Sequence, residues 1–222
     1  MKYIVGIDLG QLSDRSALSV IERKVSADRA APLAYQCKWL QVWNPGTQYT
    51  QVMDDAVHVI KALPASTPAP VLYRSTNISS ARPREAGVSV ALDTTVVGAS
   101  IGIMFESQFK ALGVRTTRFT ITAGTQVARE AQPWRVPKRD LGSVMRVLLE
   151  GRRISFAPGL QHGAELIREL SNFKIDKATG DDNQIDWRTR EHDDLVLATA
   201  LACWLSEHGM PKVARVATSY QG

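Results

Sequence analysis

The stretch Tyr3-Ile4-Val5-Gly6-Ile7-Asp8-Leu9 decides how this chain folds. Residues 3 to 9 are apolar almost without interruption, which is the pattern of a strand covered on both faces and therefore central in its sheet. The run ends in a carboxylate. An ionised Asp8 in such surroundings is costly unless it is paired, hydrogen-bonded or bound to a cation.

Outward from this strand, residues 16 to 22 and 33 to 43 form two more strand-like runs, the latter with partial alternation, so the first three predicted strands make an antiparallel meander. Asn44-Pro45-Gly46 closes it with turn chemistry. Residues 49 to 63 carry Val52, Ala56, Val59, Ile60 and Leu63 on one face and read as an amphipathic helix. A stiff loop from Pro64 to Pro70 and an exposed connection over residues 74 to 87, bearing Arg74, Arg82 and Arg84, lead to a buried strand at Val88 to Leu92. A helix over 99 to 112 ending at Gly113, then a strand over 114 to 121, completes a βαβ unit with a parallel pair. Helices follow at 139 to 150, with Leu141, Val144, Met145 and Leu148 inward and Gly151 as C-cap, and at 160 to 171. A hairpin around Thr179-Gly180-Asp181-Asp182, within residues 173 to 187, precedes a last helix over 193 to 206. With no internal repeat or splitting linker, the 222 residues read as a single α/β domain, a mixed sheet of meander plus parallel strands flanked by helices, in the order βββα, βα, βα, then helices and a hairpin.

No apolar run approaches the roughly 18 residues of a membrane helix. The N-terminus lacks the small-residue cleavage site of a secretory signal, so a soluble protein is expected. Two cysteines, Cys37 and Cys203, supply neither a disulfide framework nor a zinc cluster and read as buried small hydrophobes in a reducing compartment. Lys plus Arg number 27 against 22 Asp plus Glu, a balance of +5 that favours a polyanionic partner only if the acidic residues gather in one place.

They have a place to gather. Asp93 follows Val88-Ser89-Val90-Ala91-Leu92 as Asp8 follows the first strand, and two strands finishing in Asp set two carboxylates at one edge of a mostly parallel sheet, where open α/β folds keep their sites. Capping of the following loop is the alternative for either residue. His192-Asp193-Asp194 opens a helix that is apolar nearly all round, so it packs deeply. Asp193 can serve as an N-cap, but two adjacent aspartates exceed what capping requires; His192 reads as an outer or surface residue rather than a ligand. Asp8, Asp93 and Asp194 together make a hard oxygen set suited to Mg²⁺ or Mn²⁺. Asp14 either returns across the turn to join them or only initiates that turn with Ser13.

These residues resemble the nuclease domain of the large terminase subunit of tailed bacteriophages, a ribonuclease H-like family. The similarity spans most of the chain: Gly6-Ile7-Asp8 followed by Asp14; Leu92-Asp93-Thr94-Thr95-Val96-Val97-Gly98; Val136-Pro137-Lys138-Arg139-Asp140-Leu141; Leu149-Glu150-Gly151-Arg152; and His192-Asp193-Asp194-Leu195-Val196-Leu197-Ala198. In one departure, Val96 stands where the family usually has its first glycine after the second aspartate. The resemblance implies an endonuclease that cleaves duplex DNA, such as phage genome concatemers, with two divalent metal ions, Mg²⁺ or Mn²⁺. It assigns the metals to Asp8, Asp93 and Asp194, with Asp14 and Asp193 auxiliary, and implies as partners an ATPase domain, a portal and a small terminase subunit in a bacterial host cytoplasm. No Gly-Lys-Ser/Thr occurs, so the chain carries no P-loop motor; it reads as an excised nuclease domain or a standalone nuclease. Phosphate contacts fall first to Lys138 and Arg139, then to Arg152, Arg153, Arg82 and Arg84. No base-reading module appears, so little sequence specificity is expected.

Three other readings compete. Gly6-Ile7-Asp8-Leu9-Gly10 before a turn and strand looks like the first phosphate loop of actin-like or sugar-kinase-like ATPases, but those need two lobes and leave Asp193-Asp194 without a task. A Holliday-junction resolvase shares the ribonuclease H-like fold and four carboxylates. A DNA-binding scaffold with a decayed site is disfavoured by the full set of aspartates.

Overall fold

The computed structural model describes residues 2–11, 13–24, 31–64, 87–173 and 193–209. The meander forms as expected: β1 (Tyr3–Asp8) pairs antiparallel with β2 (Ser16–Lys24), and β2 with β3 (Ala34–Trp43). Helix α1 (Tyr49–Ala62) follows, then β4 (Val88–Asp93), α2 (Gly98–Ala111) and β5 (Arg115–Thr122). β4 runs parallel to both β1 and β5, giving the βαβ unit.

Two strands lie beyond the sequence reading, and they correct the expected order of elements. β6 (Trp134–Pro137) pairs parallel with β5 and feeds directly into α3 (Lys138–Glu150), so two strands rather than one separate α2 from α3. β7 (Ile154–Phe156) pairs parallel with Tyr35 to Cys37 of β3 and precedes α4 (Gly163–Asn172). The last helix is α5 (Asp194–His208). The sheet is seven-stranded and mixed, in the order β6-β5-β4-β1-β2-β3-β7, an α/β arrangement compatible with the ribonuclease H-like fold. β1 is its middle strand, as the unbroken apolar run required. The hairpin expected within 173 to 187, His192, and Arg74, Arg82 and Arg84 fall outside the described residues.

The two faces of β1 feed two cores. Tyr3, Val5 and Ile7 pack with α1 and α2, whereas Ile4 packs under α5, which α3 and α4 cover in turn. Every α5 residue from Leu195 to Ser206 is buried, the outcome expected of a helix that is apolar on all sides. Gly6 is what admits α5 to the sheet. A methyl group there would lie 1.8 Å from the carbonyl oxygen of Ala198, so only a residue without Cβ lets the two backbones touch. Asp194 stands one helical turn before Ala198, and Asp8 two residues after Gly6, so this single contact carries both carboxylates toward the same edge.

Helix ends set the remaining geometry. α2 closes in a Schellman motif, with left-handed Gly113 donating to Lys110 O and Val114 N to Phe109 O. α3 closes in the same motif, but Gly151 has φ −76° and the left-handed residue is Arg152 at φ 51°. The glycine therefore sits one position before the residue that takes the strained conformation, a placement that costs about 1 kcal/mol. Cys37 and Cys203 are both buried and unbridged. No helix among the described residues is long and apolar enough to cross a membrane.

Candidate functional site

Asp8 and Asp93 end the parallel neighbours β1 and β4, whose register pairs Ile7 with Leu92. The two carboxylates therefore emerge side by side at one sheet edge, about 5 Å apart in backbone terms. Both are buried, at 8% and 4% exposure. The Asp93 Oδ1 atom accepts the Thr95 amide at 2.9 Å and the Thr95 hydroxyl, and that hydroxyl accepts the Ile121 amide at 2.7 Å. Asp93 is thus fixed by its own loop and by β5, so the capping contact proposed as an alternative exists and coexists with the clustering. Val96 keeps a negative φ, and the left-handed residue that the turn requires is Gly98 at φ 80°.

Burial, then the charges of Asp93 and Asp194, push the Asp8 carboxyl well above the ordinary carboxylate range; a hydrogen bond to Asp93 and the Asp193 charge add to this. Burial also raises Asp93, opposed by its bonds from Thr95, Asp8 and the Thr94 amide. Asp8 is the more strongly raised of the two. Four aspartates from three elements therefore form one electrostatic group, with Asp8 feeling the charges of the other three.

The N-terminus of α5 departs from simple capping. Asp193 occupies the N-cap position without a side-chain cap hydrogen bond, and the Val196 amide is instead bonded at 3.1 Å by Glu169 of α4. The aspartates are drawn to cations. Lys138, at the first position of α3, pairs with Asp193 while its ammonium stands 5.4 Å over the Phe173 ring. Arg15, after the β1–β2 turn, holds Asp194 through Nε at 3.2 Å, Glu169 through one terminal nitrogen at 3.1 Å, and Glu165 through the other. The Glu165 carboxyl lies below the usual range because Arg15, and after it His162, hydrogen-bond to it. Glu169 is pushed up to about 7, since burial and the Asp194 and Glu165 charges outweigh the Val196 amide and Arg15.

Sequence reasoning missed Arg15, Glu165 and Glu169. The available signal was Glu169 itself, a charge three residues after the buried Leu166 and so on the inward face of α4. Other expected residues lie apart. Asp14 is exposed and its amide donates to Gln11 O at 2.9 Å, so it closes that turn rather than initiating it or joining the carboxylates. Arg139 is exposed near the edge, donating to Thr125 O at 2.7 Å. Arg152 and Arg153 are not brought to the carboxylates. Arg153 O bonds Tyr35 N, and Tyr35 pairs with Arg23, six residues along β2 from the Ala17 that faces Asp8, a separation of about 20 Å. Arg153 is further committed to Leu33 O and Glu207.

Among the described residues no three His, Cys, Asp or Glu side chains stand ready as a metal cage. The donor set nonetheless fits a hard dication: oxygen ligands only, with Asp8 raised by burial and by the neighbouring Asp93 and Asp194 charges. Arg15 and Lys138 take up the Asp194 and Asp193 carboxylates that would complete such a cage. A cavity of ≈ 360 Å³ lies at the other end of α5, lined by Trp204, Glu207 and His208 among others. The chain matches no family model, no curated protein and no solved structure.

Proposed function

We propose that this protein is a metal-dependent endonuclease of ribonuclease H-like type, acting on duplex DNA at the edge where β1, β4 and α5 meet. One observation carries the reading: Asp8 and Asp93 are buried side by side at the ends of parallel central strands, and the Asp194 charge from α5 reaches Asp8. Carboxylates crowded this way are unfavourable alone and become favourable around divalent cations. Two Mg²⁺ or Mn²⁺ ions at such a site supply an activated water and stabilise the leaving 3′ oxygen.

The chain's own residues do the rest. Asp8 and Asp93 would hold the cation, and the Thr95 amide and hydroxyl keep the Asp93 carboxylate fixed at the edge. Asp194 and Asp193 bring further negative charge from the α5 N-terminus. Lys138, at the start of α3 and paired with Asp193, and its neighbour Arg139 are the candidates for contact with a phosphate backbone. The nuclease would serve a packaging machine whose ATPase domain, portal and small subunit lie outside this chain.

The ATP-binding alternative loses its main support, because Gly6 and Gly10 have packing tasks. Gly6 admits α5, and a Cβ on Gly10 would meet Arg15 O at 2.1 Å. The test is digestion of supercoiled plasmid with Mn²⁺, Mg²⁺ or EDTA, without ATP. Wild-type protein is expected to nick and linearise with either metal, EDTA to abolish this, and Asp8→Asn or Asp93→Asn to reduce it by orders of magnitude. Plasmid left intact in Mn²⁺ rejects the nuclease reading, and cleavage faster on four-way junctions than on linear duplex favours a resolvase.

A further inference from the structure

We propose that Arg15 is a positioning residue: it sets the Asp194 carboxylate in place for a divalent cation by tying it to Glu165 and Glu169 of α4. The proposal rests on the nuclease reading, because it assigns Asp194 to the metal group.

Arg15 is only 14% exposed and its guanidinium meets three carboxylates, one on each nitrogen. A planar fork can hold three fixed acceptors at once, whereas a lysine ammonium cannot reproduce the geometry. The partners come from separate parts of the chain: Arg15 from the β1–β2 connection, Glu165 and Glu169 from α4, Asp194 from α5. Glu169 bonds Arg15 with one oxygen and the Val196 amide with the other, so it fixes α5 in position and Arg15 in orientation together. A cap supplied from α4 leaves Asp193 and Asp194 to work elsewhere. One guanidinium facing three carboxylates leaves net negative charge, so the network orients Asp194 without neutralising the edge. Residues that orient metal-binding carboxylates in this manner typically change metal affinity by 10–100-fold when removed.

The experiment is calorimetric titration of the whole protein with Mn²⁺, with the melting temperature measured in EDTA, for wild type, Arg15→Gln, Arg15→Lys, Asp194→Asn and the double variants. Arg15→Gln is expected to weaken Mn²⁺ binding about 10-fold or more, and to weaken it no further once Asp194 is Asn. Arg15→Lys, which keeps the buried charge, is expected to stay folded, to lie between wild type and Arg15→Gln in affinity, and to be equally silent in the Asp194→Asn background. It carries the test should Arg15→Gln fail to fold. A purely structural arginine would lower the melting temperature and leave Mn²⁺ affinity unchanged, or its effect would add in full to that of Asp194→Asn; either result overturns the proposal while Asp194→Asn alone still supports the metal reading. Wild-type protein that binds no Mn²⁺ overturns both.

Discussion

The two ends of α5 handle buried charge in opposite ways. At its C-terminal end Glu207 meets Arg153, accepts the Tyr35 hydroxyl at 2.6 Å, and lies beside an edge-to-face group of Phe119, Trp134 and Trp204. Burial and the Glu207 contact raise the Tyr35 hydroxyl, which therefore stays protonated as a donor. Acceptors and donors close on one another there. At the N-terminal end the carboxylates Asp8, Asp93, Asp193, Asp194, Glu165 and Glu169 crowd together around Arg15, Lys138 and the His162 ring. A closed network holds a fold together; an open one, tolerated in a buried place, implies positive charge from outside.

The variant with the largest expected effect disturbs both ends at once. Gly6→Ala puts a methyl group into the Ala198 carbonyl, and relief requires α5 to lift off the sheet. We expect a loss of about 3 kcal/mol or more, read as the urea midpoint, with any surviving folded protein unable to bind Mn²⁺. Full stability in Gly6→Ala would break the account of how the edge is assembled.

Two isosteric changes then probe the contrast directly. Glu207→Gln strips the charge that Arg153 needs and should cost about 1–3 kcal/mol, a fall of about 2–12 °C in melting temperature for a chain of this size. Asp8→Asn in EDTA should do the reverse and raise the melting temperature, because it removes repulsion from a crowded group. If both variants fall, the N-terminal end is as self-sufficient as the other and the contrast disappears.

These effects bear on what a sequence can disclose. The central position of β1, the βαβ unit and the buried α5 were legible because long apolar runs admit few placements. β6 and β7 were not, since segments of four and three residues are too short to display alternation, and one contains Arg135 and Pro137. The carboxylates at strand ends and at the α5 start were legible for the same reason as β1: a charge stands out against an apolar run. Arg15 was illegible because its partners lie 150 to 179 residues away, and nothing local in an exposed-looking turn announces them. Arg152 and Arg153 misled because proximity in sequence to a basic helix start says nothing of position along a helix whose far end is about 20 Å away.

The smallest expected effect is a pH trend. Glu169 holds its proton up to about 7 in the folded protein, against an ordinary 4.5. Below 4.5 it is protonated in folded and unfolded chains alike and its contribution is present in full. As pH rises from 4.5 toward 7 the unfolded chain ionises first, so stability falls across that window. Glu169→Gln should flatten that part of the curve relative to wild type, measured by urea midpoints in EDTA. An unchanged slope would place the charge excess elsewhere at the edge.

The contact between Gly6 and Ala198 has a consequence for how such a protein diverges. Asp8 and Asp194 are brought together by main chain against main chain, so the layers around them can exchange one side chain for another without shifting the distance between them. Sequence drift can then rewrite the loops, the outer helices and the edge strands while the chemistry stays aligned. The residue that such drift cannot touch is one with no side chain at all.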